Sequence, residues 1–575
     1  MYIGGEMDAV PPAAQELSAA LRWGGHSSQH QLAQVLSLLL PLLPLDDRAR
    51  AACVCRAWRA GAAHPALWEE LSFERCAAYV DNATLVSLCA RGGAALRTLS
   101  VDAGACERIN GAGILDALRE GGCTGVRRLS TQLSKRGRVG HTLNAEQVQQ
   151  LAAACPLLQV AACSVSCRVS DAAAISTALP GPLALDCVGA NDGAGIAQLA
   201  ECLRVNTALT SLNLRENHIG AEGATQLAEC LRVNTSLTSL YLGFNDIGDA
   251  GATRLAECLR VNTALTSLVL RSNSIGAEGA TQLADCLLVN TALITSLDLG
   301  YNNVGAEGAT QLAECLRVNT TLTSLDLGYN NIGVEGVTQL AECLRVNTTL
   351  TSVDLGYNDI GAEGVTQLAE CLRVNTTLTS LGLRNNGISV EGATQLAECL
   401  RVNTALTSLV LRSNSIGEGA TQLAECLRVN TALTSLVLSE NDIGAEGATQ
   451  LAECLRVNAI VTSLDLGYND IGDAGATRLA ECLRVNTALT SLVLVHNDIG
   501  AEGATQLAEC LRVNTALTSL DLYHNRIGVE GATQLAECLR VNTGLSSLDL
   551  CTNGIGDAGK RALTAACPRR CTLTF

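Results

Sequence analysis

The chain has 575 residues and a formal net charge of -17 at pH 7, with 48% hydrophobic and only 2% aromatic residues. An acidic chain without a basic stripe is not expected to bind nucleic acid. The apolar run from Val35 to Leu45 is too short to span a bilayer and contains Pro41 and Pro44, so a membrane partner is not expected either.

Residues 1–30 are predicted to be a disordered N-terminus, and residues 31–75 differ in composition from the residues that follow. This second segment contains two of the three tryptophans. It carries three short motifs, Leu36-Ser-Leu-Leu-Leu-Pro-Leu-Leu-Pro44, Val54-Cys-Arg-Ala-Trp58 and Pro65-Ala-Leu-Trp68. Their order and spacing resemble the F-box, a small helical module that docks on the Skp-type adaptor of cullin-RING ubiquitin ligases.

The resemblance to the F-box implies a set of adaptor-binding residues. These are Leu36, Leu39, Leu40, Leu43, Pro44, Val54, Trp58 and Trp68. An alternative is that the segment is only a helical cap on the first repeat of a solenoid, because terminal repeats need covering. The two interpretations are compatible if the tryptophans pack inward and still shape the docking face.

Residues 76–190 carry degraded copies of a strand and helix repeat. Leu96-Arg-Thr-Leu-Ser-Val101 and Leu183-Ala-Leu185 alternate like short strands. These copies resemble the cysteine-bearing leucine-rich repeats that commonly follow an F-box, so a continuous rod without a flexible linker is expected. The basic stretch from Ser130 to Gly140 is predicted to be a loop.

Residues 191–575 are predicted to be regular repeats closed by a C-terminal cap. In one unit Leu212 and Leu214 alternate as in a strand, whereas Leu227 and Leu231 fall at helical spacing. A single unit cannot bury both apolar faces and must therefore stack on copies of itself. Thirteen asparagines mark the repeats, 28 residues apart except for two slips: Asn217, Asn245, Asn273, Asn302, Asn330, Asn358, Asn386, Asn414, Asn441, Asn469, Asn497, Asn525 and Asn553.

The spacing Leu-x-x-Leu-x-Leu-x-x-Asn-x-Ile-Gly, followed by a helix, resembles the leucine-rich repeat of the ribonuclease-inhibitor type. This type also occurs in NOD-like receptors and Ran GTPase activators. The resemblance implies an α/β fold, a leucine-rich-repeat solenoid shaped as a curved horseshoe, with a parallel sheet inside, helices outside and a small N-terminal all-α F-box. It also implies that the asparagine side chains bond backbone groups of adjacent turns and are structural.

Half of the 26 cysteines occupy one slot of the repeat, beside the apolar helix face: Cys202, Cys230, Cys258, Cys286, Cys315, Cys343, Cys371, Cys399, Cys426, Cys454, Cys482, Cys510 and Cys538. Neighbours in this ladder should lie about a helix width apart, beyond the roughly 7 Å limit for a disulfide. They are predicted to be buried free thiols in a reducing compartment, the cytoplasm or the nucleus. The other cysteines lack the paired spacing of zinc sites, so no metal is expected.

The motifs of common enzymes are missing from the sequence. It has no phosphate-binding G-x-x-x-x-G-K-[ST] loop, no G-x-S-x-G and no H-E-x-x-H. The chain is therefore not expected to be an enzyme, to have catalytic residues or to bind a cofactor. His218, His496 and His524 are interpreted as single polar contacts at the concave edge.

The residues flanking the strand leucines vary between repeats, and these slots are expected to face the concave surface. Four repeats present an aspartate and a tyrosine there: Asp298 with Tyr301, Asp326 with Tyr329, Asp354 with Tyr357, and Asp465 with Tyr468. The first three tyrosines should form a row on adjacent strands, about 4.8 Å per step. Such a row bordered by carboxylates favours a basic or amide-rich protein substrate.

Arg271, Arg384 and Arg412 are predicted to lie elsewhere on the same face as this substrate site. The alternative to a binding site is recent tandem duplication, which copies whatever residues were present; the identical Val-Leu-Arg-Ser-Asn-Ser-Ile-Gly at 269 and 410 supports it.

These observations predict a non-catalytic substrate-receptor subunit of a Skp-cullin-F-box type E3 ubiquitin ligase. Its partners would be the adaptor and cullin scaffold on one side and an unknown protein substrate on the concave face. A free-standing leucine-rich-repeat scaffold or intracellular sensor would have the same repeats without adaptor binding. A GTPase activator similar to the Ran-specific one usually has an acidic C-terminal tail, whereas this sequence finishes with Arg569-Arg-Cys-Thr-Leu-Thr-Phe575.

Overall fold

The computed structural model describes residues 70–73, 82–102, 109–132, 143–155, 157, 163–178, 183–188, 193–289, 294–568 and 571–575. The chain forms two compact units. One comprises residues up to Asn217 with Val233–Leu240, and the other comprises His218–Arg232 with Tyr241–Phe575. The predicted adaptor-binding residues lie outside the described residues.

The first unit alternates strands with helices. Its strands pair in parallel, each with the next along the chain. The strands are β1 (Glu70–Phe73), β2 (Thr98–Asp102), β3 (Arg128–Gln132), β4 (Cys163–Arg168), β5 (Leu183–Val188) and β6 (Leu209–Asn213). The helices are α1 (Asn82–Gly92), α2 (Gly111–Glu120), α3 (Ala145–Ala154), α4 (Val169–Ala178) and α5 (Gly193–Leu203), with a 3-10 turn at Gly93–Ala95.

One sequence-based expectation in this unit is wrong. Residues 130–132 were expected in a loop but belong to strand β3, where Ser130 lies opposite Ser100 and Thr131 opposite Val101. The preceding residue explains this, because the Leu129 side chain is buried and anchors the segment to the core. The rest of the expected loop, residues 133–140, lies outside the described residues.

The second unit repeats the same pattern with little variation. After β7 (Ser239–Tyr241), which contains the point of division, its strands are β8 (Ser267–Val269), β9 (Ser296–Asp298), β10 (Ser324–Asp326), β11 (Ser352–Asp354), β12 (Ser380–Gly382), β13 (Ser408–Val410), β14 (Ser435–Val437), β15 (Ser463–Asp465), β16 (Ser491–Val493), β17 (Ser519–Asp521), β18 (Ser547–Asp549) and β19 (Thr572–Thr574). All strands from β8 to β19 pair in parallel and in register.

The helices of the second unit run between these strands, and each packs on the next one along the chain. They are α6 (Gly220–Leu231), α7 (Gly248–Leu259), α8 (Ala277–Val289), α9 (Gly305–Leu316), α10 (Gly333–Leu344), α11 (Gly361–Leu372), α12 (Ser389–Leu400), α13 (Gly419–Leu427), α14 (Gly444–Leu455), α15 (Gly472–Leu483), α16 (Ala501–Leu511), α17 (Gly528–Leu539) and α18 (Gly556–Ala566). Helix α13 is shorter because Gly417-Glu-Gly419 has lost one residue of the loop.

The core lies between the strands and the helices. In a typical repeat Leu325 in the strand and Leu327 directly after it point inward, as do Leu340 and Leu344 from the helix; all four are buried. The residue on either side of Leu325 is only half-buried, so the other face of the strands is open. The predicted α/β repeat solenoid is confirmed.

A ladder of buried asparagines joins consecutive repeats. The side-chain amide of Asn302 donates to the carbonyls of Leu270 (3.0 Å) and Leu299 (2.9 Å), and its oxygen accepts from the N–H groups of Asn273 (2.9 Å) and Ile275 (3.0 Å). The thirteen predicted asparagines are at most 6% exposed. The amide thus replaces water for backbone groups that would otherwise be buried without partners.

A second asparagine ladder follows the helices. Asn319 donates to the carbonyl of Leu287 (3.0 Å) in the preceding repeat and accepts from the N–H groups of Thr321 (3.1 Å) and Leu322 (2.9 Å) in its own. Asn347 and Asn375 make the same bonds one and two repeats further on. Each repeat is therefore fixed to its neighbour at both ends of the strand.

The residues beside the first asparagine ladder adopt an unusual backbone. Tyr329 and Asn331, on either side of Asn330, have φ angles of 59° and 51°. Left-handed residues other than glycine are uncommon and cost of the order of 1 kcal/mol or more each. They persist because the buried amide fixes the carbonyl and N–H groups on both sides, and the same pair of angles recurs along the second unit.

We expect Asn302→Ala to lower stability by roughly 2 to 5 kcal/mol, because it leaves several buried backbone groups without partners. Hydrogen exchange of the amides of Asn273 and Ile275 measures the local effect. Asn303→Ala is the matched control, since Asn303 is exposed and adjacent. Equal protection in the two variants would contradict the structural role of the ladder.

The cysteine ladder from Cys230 to Cys538 is buried and free of disulfides. Burial raises the pKa of these thiols, for example that of Cys343 to about 12, so little reactive thiolate forms at neutral pH. We expect all 26 cysteines to titrate as free thiols in denaturant without reductant, and the ladder to resist alkylation in the native protein. Half-buried Cys567 should react before the ladder; a ladder thiol that reacts first would contradict the packing.

Candidate functional site

Three carboxylates lie side by side on the open face of the sheet. Asp298, Asp326 and Asp354, here called the carboxylate row, occupy equivalent positions on β9, β10 and β11. The Oδ1 atom of each accepts the backbone N–H two residues further on, at 2.8 Å. Burial and the neighbouring carboxylates oppose ionisation, which raises the pKa of Asp326 to about 6 and also raises the pKa of Asp298.

A glycine follows each carboxylate on the same face. Gly300, Gly328 and Gly356, here called the glycine trough, have no side chain where most other repeats carry one. A Cβ atom at Gly300 would lie 2.9 Å from Nη1 of Arg271 and 3.1 Å from Asp298 Oδ1. No side chain therefore projects from this slot beside the carboxylate row, and at Gly300 the Arg271 side chain lies close to the vacant position.

Three tyrosines border the other side of the glycine trough. The rings of Tyr301, Tyr329 and Tyr357, here called the ring row, stack with centroids 3.7 Å apart in both steps and interplanar angles of 20° and 14°. The predicted row exists, but the tyrosines lie in the left-handed turn after each strand, with φ of 55° to 59°, and not within the strands. Burial and hydrogen bonds with its two neighbours raise the pKa of the central phenol, Tyr329.

The chain's own arginines close both ends of the ring row. The Arg271 guanidinium lies 4.3 Å from the centroid of Tyr301, and that of Arg384 lies 4.9 Å from the centroid of Tyr357. Arg271 also pairs with Asp326 at 3.2 Å, two repeats away. Both arginines were expected elsewhere on this face; that placement is wrong, because long side chains lean along the face over positions without side chains.

The third arginine is engaged differently. Arg412 pairs with Glu440, which also accepts a hydrogen bond from the hydroxyl of Ser413. The Arg412 guanidinium holds the pKa of Glu440 below its usual range. Arg384 has no such partner: its Nε atom is buried and makes no hydrogen bond within the described residues.

The fourth predicted pair does not join the first three. Asp465 accepts hydrogen bonds from the N–H of Gly467 (2.9 Å) and the hydroxyl of Ser439 (3.2 Å). Tyr468 stacks on His496 at 4.2 Å. Asp465 and Tyr468 therefore belong to a separate part of the open face, four repeats beyond Asp354.

The histidines near Tyr468 are not the isolated contacts that the sequence suggested. His496 stacks on His524 with centroids 3.5 Å apart. These rings border a cavity of about 350 Å³ that is also lined by Asp470, Asp498 and Arg526. Burial, and then the neighbouring His524, lower the pKa of His496. The sequence signal for this stack is an aromatic residue in one slot of consecutive repeats, namely Tyr468, His496 and His524.

Within the described residues, no group of three or more histidine, cysteine, aspartate or glutamate side chains is placed to hold a metal ion. Among the same residues, no helix combines the length and apolar character that a membrane crossing requires.

Comparison with protein families supplies the identity of both parts of the chain. Residues 31–74 match the F-box-like family. Eleven segments match the Leucine Rich repeat family: 205–228, 233–256, 261–284, 292–313, 318–341, 346–369, 374–397, 429–452, 457–480, 485–508 and 513–536. The chain is a leucine-rich-repeat protein with an F-box-like domain.

The F-box-like match contains all the predicted adaptor-binding residues, from Leu36 to Trp68. The longest interval between leucine-rich-repeat matches, residues 398–428, contains the repeat that has lost one residue at Gly417-Glu-Gly419. The structure nevertheless builds this repeat, with β13 and α13 in their usual places. Both resemblances that the sequence suggested are confirmed.

No curated protein sequence matches the chain. Among solved structures, it is similar to leiomodin-1 actin-binding site 2, with 22% identity over 26% of the chain and 86% of that structure, at a TM-score of 0.23.

The raised pKa of Asp326 predicts a pH-dependent stability difference. Below about pH 4 both folded and unfolded chains carry the proton; between about 4 and 6 only the folded chain binds it, so folding loses stability as the pH rises. Asp326→Asn keeps the acceptor for Gly328 and removes this loss. We expect the variant to be more stable above pH 6 by about 1 to 2 kcal/mol.

Thermal unfolding of the two proteins at several pH values measures this effect. The difference in melting temperature should vanish as the pH falls through 6 towards the ordinary aspartate pKa, 3.8. Asp465→Asn, in the same slot of another repeat, serves as the control. A variant that is less stable than the wild type above pH 6 would mean that the ion pair with Arg271 outweighs the burial of the carboxylate.

Proposed function

We propose that this protein is a substrate-receptor subunit of a Skp-cullin-F-box type E3 ubiquitin ligase. The observation that carries the proposal is the presence, in one chain, of an F-box-like segment at residues 31–74 and a leucine-rich-repeat array. The combination is typical of recognition proteins that catalyse nothing themselves. The receptor brings a protein to the ligase, and the associated enzymes transfer ubiquitin.

The F-box-like segment is the proposed adaptor-binding part. The Skp-type adaptor would contact Leu36, Leu39, Leu40, Leu43, Pro44, Val54, Trp58 and Trp68, and would connect the chain to the cullin scaffold. Tryptophan is among the side chains that dominate the binding energy at buried protein interfaces, and the leucines would add buried apolar area. The repeats take no part in this contact under the proposal.

The open face of the repeats is the proposed substrate-binding part. The carboxylate row and the ring row offer charge and rigid ring edges on a surface that the asparagine ladder holds in place. Both features favour selective protein binding, because complementary charge suppresses wrong partners and rigid side chains lose little entropy on binding. Asp465 and Tyr468 would form a second, separate contact area for the substrate.

The adaptor prediction uses Leu43→Ala combined with Pro44→Ala. This variant should weaken adaptor binding by roughly 2 to 4 kcal/mol, since it truncates side chains at the centre of the proposed contact. Titration of the purified adaptor into the full chain measures the change, and circular dichroism should show unchanged repeats. If the wild-type chain does not bind the adaptor at micromolar concentration, a free-standing scaffold becomes the better description.

The substrate prediction uses substitution of all three ring-row tyrosines by asparagine. Asparagine suits this left-handed slot, since Asn385 occupies it with φ of 51° in another repeat. We expect the variant to lose the proteins that proximity labelling recovers with the wild type, while adaptor binding and folding are kept.

The two variants control for each other, because each should lose one activity and keep the other. Equal recovery of proteins by the ring-row variant and the wild type would show that the tyrosines are products of duplication without a binding role.

A further inference from the structure

The chain's own Arg271 shows what the glycine trough accepts. Its guanidinium lies against the face of Tyr301 (4.3 Å), pairs with the carboxylate of Asp326 (3.2 Å) and comes within 2.9 Å of the position that a Cβ at Gly300 would occupy. One segment of the trough, over Gly300, is thus filled by an arginine side chain. The next segment, over Gly328 and Gly356, also lacks side chains in this slot. Arg384 borders its far end, with its Cβ atom 3.4 Å from the position that a Cβ at Gly356 would occupy.

This second segment of the trough ends at an accessible carboxylate. Asp354 is exposed, whereas the other two members of the carboxylate row are half-buried. It makes no ion pair with any of the described residues. Next to it lies Gly382, whose Cβ would come within 2.7 Å of Asp354 Oδ1, so no side chain from β12 covers the carboxylate on that side.

The charges around the trough do not balance. The carboxylate row contributes three negative charges, and the two arginines at the ends of the ring row contribute two positive ones. Arg412 does not correct this, because it is paired with Glu440. A single positive charge brought by a partner would complete the neutralisation, and Asp354 is where it would be received.

The ring row determines the kind of cation that fits. Each ring face is covered, either by a neighbouring ring at 3.7 Å or by Arg271 or Arg384. A partner cation therefore meets ring edges and hydroxyls together with the carboxylate, and cannot stack on a face. A guanidinium, with five N–H donors in a rigid plane, can serve several such acceptors at once, whereas an ammonium acts as a point charge.

We propose that the glycine trough over Gly328 and Gly356 receives one arginine side chain of a protein partner, held by Asp354 as the chain's own Arg271 is held by Asp326. The inference rests on the proposed function, in which the open face of the repeats binds a protein. It adds the chemical identity of the anchoring residue and the position that receives it.

A random-peptide library selected on the full chain tests the proposal. We expect the enriched peptides to share an arginine, and a fluorescein-labelled peptide of the enriched sequence to lose binding about tenfold with Asp354→Asn, because a charge-assisted contact is removed. Asp521→Asn is the matched control. Asp521 occupies the same slot on β17 and accepts the N–H of Tyr523 at 2.9 Å, so this change should alter the affinity by less than about twofold.

Substitutions of the arginine in the peptide test whether the site requires a guanidinium. Replacing its arginine by glutamine should abolish binding, and replacing it by lysine should weaken binding by a few-fold, about 3 to 10. Enrichment of peptides without arginine, equal affinity for wild type and Asp354→Asn, or equal loss with Asp521→Asn would each overturn the proposal. Asparagine retains the acceptor for Gly356, and circular dichroism verifies that the repeats stay folded.

The peptide measurement needs no adaptor, so it fails or succeeds independently of the proposed ligase role. Arginine-dependent binding without adaptor binding would support the arginine site and contradict the ligase role. Adaptor binding with no preference for arginine would support the ligase role and contradict the arginine site.

Discussion

The buried asparagine amide is the interaction on which the rest of the repeat array depends. Asn302 and its counterparts form hydrogen bonds with the backbone of two repeats at once. These bonds fix the position of each repeat relative to the next one. Residues in the same slot therefore become neighbours in space. This is why Asp298, Asp326 and Asp354, far apart in sequence, share one surface.

The same constraint makes the surface electrostatically costly. Burial of the carboxylate, and then the like charges that the register places beside it, raise the pKa of Asp326. Gly300, beside Asp298, moderates the cost, because its missing side chain lets Arg271 reach a carboxylate two repeats away. A surface that keeps partly uncompensated charge against its own stability is typical of a binding site, since recognition sites commonly sacrifice stability for function.

The sequence could predict the slots of the repeat, because hydrophobic period and asparagine spacing depend on local chemistry. Leu325 and Leu340 follow from that pattern, and so does the existence of a tyrosine row. The pattern could not place Arg271 or Arg384, because the direction of these long side chains depends on which positions in neighbouring repeats are glycine. It also could not place the tyrosines in left-handed turns, since that backbone is imposed by buried amides of two repeats. The adaptor contacts from Leu36 to Trp68 stay a prediction.

The second asparagine ladder has a consequence for biosynthesis. Asn234, Asn319, Asn347 and Asn375 each begin an Asn-x-Ser/Thr triplet, the acceptor of N-linked sugar. In the folded repeats these amides are at most 5% exposed and bonded to main-chain carbonyls. A glycan on any of them would occupy the space where two repeats meet. Oligosaccharide addition and completion of the array therefore exclude each other, and a chain modified during synthesis could not close its stack at those turns.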